Sequence, residues 1–162
     1  MGIDDSRARI IVVSDRIIAG ERGDKASPRA TEMLEKAGFR VDPPVIVNEG
    51  YDAVAAALSQ AVRDRIPLII TCGGTGAGAR NLTPEATEEL LAVRLQGLET
   101  QILFEGLKNS PQAGLSRGIV GLTSRGPDAS LVVNAPSSSG GVHDSLAVIL
   151  SVWPNIQEKL GR

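Results

Sequence analysis

Gly73-Gly74-Thr75-Gly76-Ala77-Gly78 places four glycines in six residues, directly after the apolar run Ile66 to Cys72. With few Cβ atoms in the way, successive backbone N–H groups can close on an anion, which is how phosphates are cradled. The stretch can also be set on a dinucleotide fingerprint as Gly74-x-Gly76-x-x-Ala79. Position argues against that match, because the next helix starts several residues too late and the motif lies outside the first strand–helix unit. A flexible turn without a ligand is the plain alternative.

Other short polar clusters could complete a phosphate site: Ser14-Asp15-Arg16, Asn48-Glu49, and Asn134 through Gly141. Each alone is ordinary turn chemistry. Around a single rim they would supply hydroxyls, amides and a guanidinium, a surface suited to phosphate and a polar heterocycle. Arg80 and Arg117 are the stronger anion candidates, since a guanidinium meets phosphate with two parallel donors. A surface or subunit ion pair is the alternative for either. Thr75 and Ser116 could donate hydroxyls to phosphate, against local turn bonding. Cys72 adjoins the glycines, but no nearby His activates it, and it reads as a small buried hydrophobe. His143 reads as exposed filler in a first helical turn, and one His without metal-ligand spacing gives no zinc signature. Trp153 reads as core or interface packing.

These loops need elements to hold them. Arg9 to Ser14 is a short β-branched run, followed by a Gly-containing loop and then Ser27-Pro28, a cap and first-turn proline for a helix ending near Gly38. Phe39 to Val47 is a strand interrupted by Pro43-Pro44, which suits an edge. An Ala-rich helix starts at Asn48 or Gly50 and runs to about Asp64. Ile66 to Cys72 is the segment most like a strand buried on both faces. Thr83-Pro84-Glu85 supplies cap, proline and acid for another helix. Gly97 to Lys108 is expected to be helical, with Leu98, Ile102, Leu103 and Leu107 at core spacing. Ser110 to Gly126 reads as loop with short extended pieces, Ser130 to Asn134 as a strand, and Gly140-Gly141 as the entry to a last helix disturbed at Pro154. Alternating strands and helices imply an α/β fold with a mostly parallel sheet covered on both faces. Ligands then sit beyond the carboxyl ends of the strands, in the loops after Val13, Val47, Cys72 and Val133.

The chain has 162 residues with a net charge of −2, enough for one domain with a full core and cramped for two. That charge offers no field for nucleic acid or anionic lipid. The single cysteine excludes an internal disulfide. The acidic start, Met1-Gly2-Ile3-Asp4-Asp5, does not read as a signal peptide, and Met1-Gly2 with Ser6 is an isolated match to the loose myristoylation pattern. No apolar stretch approaches a membrane span, so a cytoplasmic protein is expected.

In order along the chain come Val13-Ser14-Asp15-Arg16, Thr71-Cys72-Gly73-Gly74-Thr75-Gly76, Arg80-Asn81-Leu82-Thr83-Pro84-Glu85-Ala86-Thr87, Leu115-Ser116-Arg117, and Val133-Asn134-Ala135-Pro136 before Gly140-Gly141. With these pieces the sequence resembles the molybdopterin-binding MogA/MoaB family, whose members include molybdopterin adenylyltransferases, over nearly its whole length. The resemblance implies a single three-layer αβα domain over 1–162, with 1–7 a flexible lead-in, assembled as a trimer or dimer of trimers. It implies binding of molybdopterin and ATP with Mg²⁺, and transfer of AMP to the molybdopterin phosphate with release of pyrophosphate. Other molybdenum cofactor enzymes are implied partners. Carried onto this sequence, phosphate and substrate contacts fall to Ser14, Asp15, Gly73, Gly74, Thr75, Gly76, Arg80, Ser116, Arg117, Pro136 and Ser137.

The chain departs from the family pattern at two chemically sensitive places. Active members usually carry Asp in the second-strand loop and again after Gly-Gly-Thr-Gly and four intervening residues; here these are Asn48 and Asn81. An amide keeps a carboxylate's shape but brings no charge and no base. Asn48, Glu49 and Asn81 then hold the catalytic positions, with Glu49 and Asn81 left to approach a metal and Asp15 nearby. The usual Leu-Pro-Gly-Ser-Pro-Gly-Gly is Ala135-Pro136-Ser137-Ser138-Ser139-Gly140-Gly141. Two expectations follow: adenylyl transfer with reduced activity, or a catalytically silent carrier or scaffold.

Overall fold

The first strand, β1 (Arg7–Val13), sorts its side chains by parity. Ala8, Ile10 and Val12 enter one apolar cluster, Ile11 and Val13 another, so the sheet to which β1 belongs has a core on each face. The structure is a computed structural model, and it describes residues 3–162. After β1 come α1 (Asp15–Ile18), α2 (Ala26–Lys36), β2 (Arg40–Val41), β3 (Val45–Val47), α3 (Tyr51–Arg63), β4 (Leu68–Cys72), α4 (Thr83–Glu88), β5 (Val93–Arg94), α5 (Gln96–Leu107), a 3-10 turn at Pro111–Leu115, β6 (Val120–Leu122), β7 (Leu131–Ala135) and α6 (Ser139–Lys159).

β1 pairs in parallel with β2, β3 and β4, and β4 pairs in parallel with β7. β6 and β5 complete the far edge in antiparallel sense. The sheet is mostly parallel, as expected. Leu34, Leu146 and Ile149 bury one face and Val54, Leu58 and Ala86 the other. Each fully buried Leu or Ile contributes about 2 kcal/mol relative to exposure. Register decides the site: Val13 lies opposite Val47, Val12 opposite Cys72, and Cys72 opposite Ala135. The segments leaving β1, β3, β4 and β7 therefore emerge along one rim. β6 runs the other way, so it is the segment entering it, Ser116 to Ile119, that reaches the same rim.

Several local expectations need correcting. α2 opens at Ala26 rather than at a Ser27 cap, because the Asp24 carboxylate accepts from the N–H groups of Ala26 at 3.1 Å and Ser27 at 3.0 Å. Thr83 is not the cap of α4; Leu82 precedes the helix without a side-chain bond, and the Thr83 hydroxyl is buried with no partner. α6 continues helically through Pro154, held by Trp153 against the Phe39 ring at 5.4 Å and by Ile156 and Leu160 in the core. The Ser110–Gly126 stretch, by contrast, has the expected form of loop with a short extended piece, and that piece is the ladder strand β6. In α5 only Leu98 and Ile102 pack on the core; Leu103 is 37%, Leu107 43% and Phe104 62% exposed. At the start of the chain, Arg7 already belongs to β1 and its N–H donates to Asp4 O, while Met1 and Gly2 lie outside the described residues. Among the described residues, no helix is long and apolar enough to cross a membrane.

Candidate functional site

The chain leaves β4 through Gly73, whose φ of +107° is open to few residues other than glycine. A Cβ there would stand 2.3 Å from the Val13 carbonyl oxygen. Its N–H donates to Ala135 O at 3.0 Å, so Gly73 joins three strand ends and has no donor left for a ligand, contrary to the expected cradle of Gly73 to Gly76. Gly74, with φ of +70°, lies so close to Thr83 that a Cβ would meet that buried hydroxyl at 2.2 Å. The N–H groups of Gly74, Thr75 and Gly76 have no acceptor among the described residues. Since native backbone donors are nearly always paired, three successive free ones mark a place for water or for anionic oxygen.

Arg117 fixes this loop from the groove wall. Its guanidinium donates to Gly76 O at 2.9 Å, Asn81 O at 2.7 Å and Glu85 Oε2 at 2.7 Å. The Arg117 guanidinium in turn holds the Glu85 carboxyl below its usual range. Ser116 Oγ donates to Thr75 Oγ1 at 3.2 Å, which leaves the Thr75 hydroxyl proton free to point elsewhere. Arg80 donates to Asp15 Oδ2 at 2.8 Å and to Glu49 O at 2.9 Å. Both arginines, expected as phosphate contacts, are thus engaged in intramolecular ion pairs.

Around Asp15 the network closes. Its Oδ1 accepts from Asn48 Nδ2 at 2.9 Å and from the Glu49 N–H at 3.0 Å. Arg80 first, and Asn48 after it, hold the Asp15 carboxyl well below the usual carboxylate range. A depressed folded value makes this tie complete above the ordinary carboxylate pKa and lost as pH falls through the folded one. Glu49 Oε2 accepts from the Asp15 N–H at 3.3 Å, and Glu49 Oε1 from Asn81 Nδ2 at 2.9 Å. Asn81 Oδ1 accepts from Gly78 N at 3.0 Å. This donor set does not fit the cation that the resemblance implies: the carboxylate oxygens face N–H donors, and among the described residues no group of three or more His, Cys, Asp or Glu is placed to share a metal.

One groove brings together Ser14, Glu49, Gly73 to Gly76, Asn81, Ser116, Arg117, Pro136 and Ser137. Asp15, Asn48 and Arg80 are not in its lining and act as its outer brace. Ser14 caps α1, its Oγ accepting from Ile17 N at 3.2 Å. Sequence reasoning missed Arg22 and Arg29, which line the groove and form no ion pair among the described residues. It counted Asn134 among the polar residues of the rim, whereas its buried side chain accepts from Ile119 N and donates to Thr71 and Thr87 hydroxyls, locking β7 to β4, α4 and the approach to β6. An Asn inside the apolar run Leu131 to Ala135 was the available signal for that hub.

Cys72 is buried, and burial pushes its thiol up to about 12. Native protein should leave a disulfide reagent unreacted at pH 8 and consume one equivalent once unfolded in guanidinium. Rapid native labelling would show an accessible thiolate instead.

The fold and rim define an α/β domain that presents unpaired main-chain donors at the carboxyl ends of its parallel strands. Comparison with known proteins specifies the kind. Residues 9–156 match the family described as "Probable molybdopterin binding domain", and the chain belongs to that MogA/MoaB-type family. A solved structure from Corynebacterium diphtheriae, assigned to molybdenum cofactor biosynthesis, superposes with a TM-score of 0.88 at 48% identity, covering 99% of each chain. The molybdenum cofactor biosynthesis bifunctional protein of Chlorobaculum tepidum is 33% identical over 89% of this chain and 45% of its own length. A molybdopterin adenylyltransferase of Pyrococcus furiosus is 31% identical over 88% of this chain and 83% of its own. The chain spans less than half the length of several relatives it matches, Chlorobaculum's among them.

Proposed function

We propose that this chain binds molybdopterin in the cytoplasm, seating its terminal phosphate on the N–H groups of Gly74, Thr75 and Gly76 with an adenine nucleotide alongside. The observation that carries this reading is the run of three unpaired amides, held open by Arg117 and by the stitch at Gly73. A name of the Pyrococcus relative supports adenylyl transfer as the family chemistry. In that step a molybdopterin phosphate oxygen bonds to the α-phosphorus of ATP while the bond to pyrophosphate breaks. The residues here position both phosphates and Arg22 and Arg29 bring charge to the groove wall, but no cluster of carboxylates among the described residues stands ready to hold a cation between the converging negative oxygens. Transfer of AMP is accordingly slow, and the amide–carboxylate pairs favour the carrier role over rapid turnover.

The test titrates molybdopterin and ATP separately by calorimetry and then follows pyrophosphate release. Binding of molybdopterin in the micromolar range with release at least about tenfold below the Pyrococcus relative is expected. Release as fast as that relative's would overturn the carrier reading, and failure to bind molybdopterin would overturn the whole proposal. We also assign the exposed α5 face, Leu103, Phe104 and Leu107, to contacts between copies of the chain. Sedimentation of the same samples should give three or six times the 16.9 kDa chain mass.

A further inference from the structure

We infer that anions bind this rim without a divalent cation, because the amides of Asn48 and Asn81 make the joins that a cation shared between carboxylates would make. The inference rests on the reading of the Gly74–Gly76 amides as a phosphate site. Two carboxylates stand by the rim, Asp15 at the start of α1 and Glu49 in the loop after β3, and each is already satisfied. Asp15 takes Asn48, Arg80 and the Glu49 N–H. Glu49 takes Asn81 and the Asp15 N–H. A cation placed between them would have to displace these donors, and the loops gain nothing from it that they lack already.

The two amides are what make the arrangement self-sufficient. Each directs an N–H donor at a carboxylate oxygen 2.9 Å away. Aspartate in either place would keep the shape and remove the donor, leaving two carboxylates at hydrogen-bond distance. Such a pair is relieved only by a proton or a cation. Metal dependence is therefore a property that two single-atom-type changes in this chain would create, and the native residues cancel it.

Thermal melts and calorimetry on the full chain test this. With 10 mM Mg²⁺ against EDTA, the native melting temperature should move by less than about 1 °C, whereas the Asn48→Asp, Asn81→Asp variant should melt lower in EDTA and recover about 5 °C with Mg²⁺. If the double variant does not fold in EDTA, Asn81→Asp alone is read the same way. Inorganic pyrophosphate should bind the native chain with affinities in EDTA and Mg²⁺ that agree within about threefold. A loss of more than about tenfold in EDTA, a native Mg²⁺ stabilisation equal to the variant's, or a variant indifferent to Mg²⁺ overturns the inference. If pyrophosphate binds under neither condition, the phosphate-site reading fails, and the melts alone decide the metal question.

Discussion

Alanine at position 73 should remove a large share of the chain's stability. The residue holds a φ of +107°, and a Cβ would be driven to 2.3 Å from the backbone carbonyl oxygen of Val13, an atom fixed in the central strand pair. Positive φ alone costs about 1 to 2 kcal/mol, and a clash with backbone cannot be relieved by a rotamer change. A total of about 4 kcal/mol is expected, a large share of the stability of a domain of this size. Gly126→Ala is the control, since nothing lies within 4 Å of a Cβ there, and it should be within about 0.5 kcal/mol of the native chain. Chemical denaturation of both variants measures the difference; a Gly73→Ala chain as stable as the control would mean that the stitch between Val13 and Ala135 does not exist as described.

Restoring aspartate at both 48 and 81 should raise pyrophosphate release by about 10²-fold in the presence of Mg²⁺. The native amides engage Asp15 and Glu49, and exchanging them turns a satisfied network into four carboxylates able to hold a cation against phosphate oxygens. Steady-state release of pyrophosphate with saturating molybdopterin and ATP is the measurement. A variant that binds both ligands and still releases no more pyrophosphate than the native chain would discard missing charge as what limits transfer in the proposed reaction.

Much of this architecture was legible in the residues because two periodicities are written plainly into them. The run Leu68 to Cys72, apolar but for Thr71 and followed by glycines, is a strand buried on both faces with a loop at its carboxyl end, and the structure places it at the centre of the sheet. β5 escaped notice because two residues carry no pattern, and the reversal of β6 because a three-residue strand reads alike in both directions. Leu103 and Leu107 have core spacing yet remain exposed, since helical periodicity marks an apolar stripe without saying what covers it. The site divides in the same way. Composition and position drew attention to Gly73 to Gly76, of which Gly73 has its N–H tied to Ala135 O and the other three leave theirs unpaired among the described residues. The partners of Arg80 and Arg117 were not, because a guanidinium serves phosphate and carboxylate equally and only the folded chain brings Asp15 and Glu85 to them.

Arg117 gives the groove one further property. By gripping two carbonyls and a carboxylate, it sets the direction of the free amides before any guest arrives. Capture then resembles a key entering a finished lock, with little ordering entropy lost on the protein side. Association should run at the pace of diffusion and orientation, with no slow reshaping phase in stopped-flow traces.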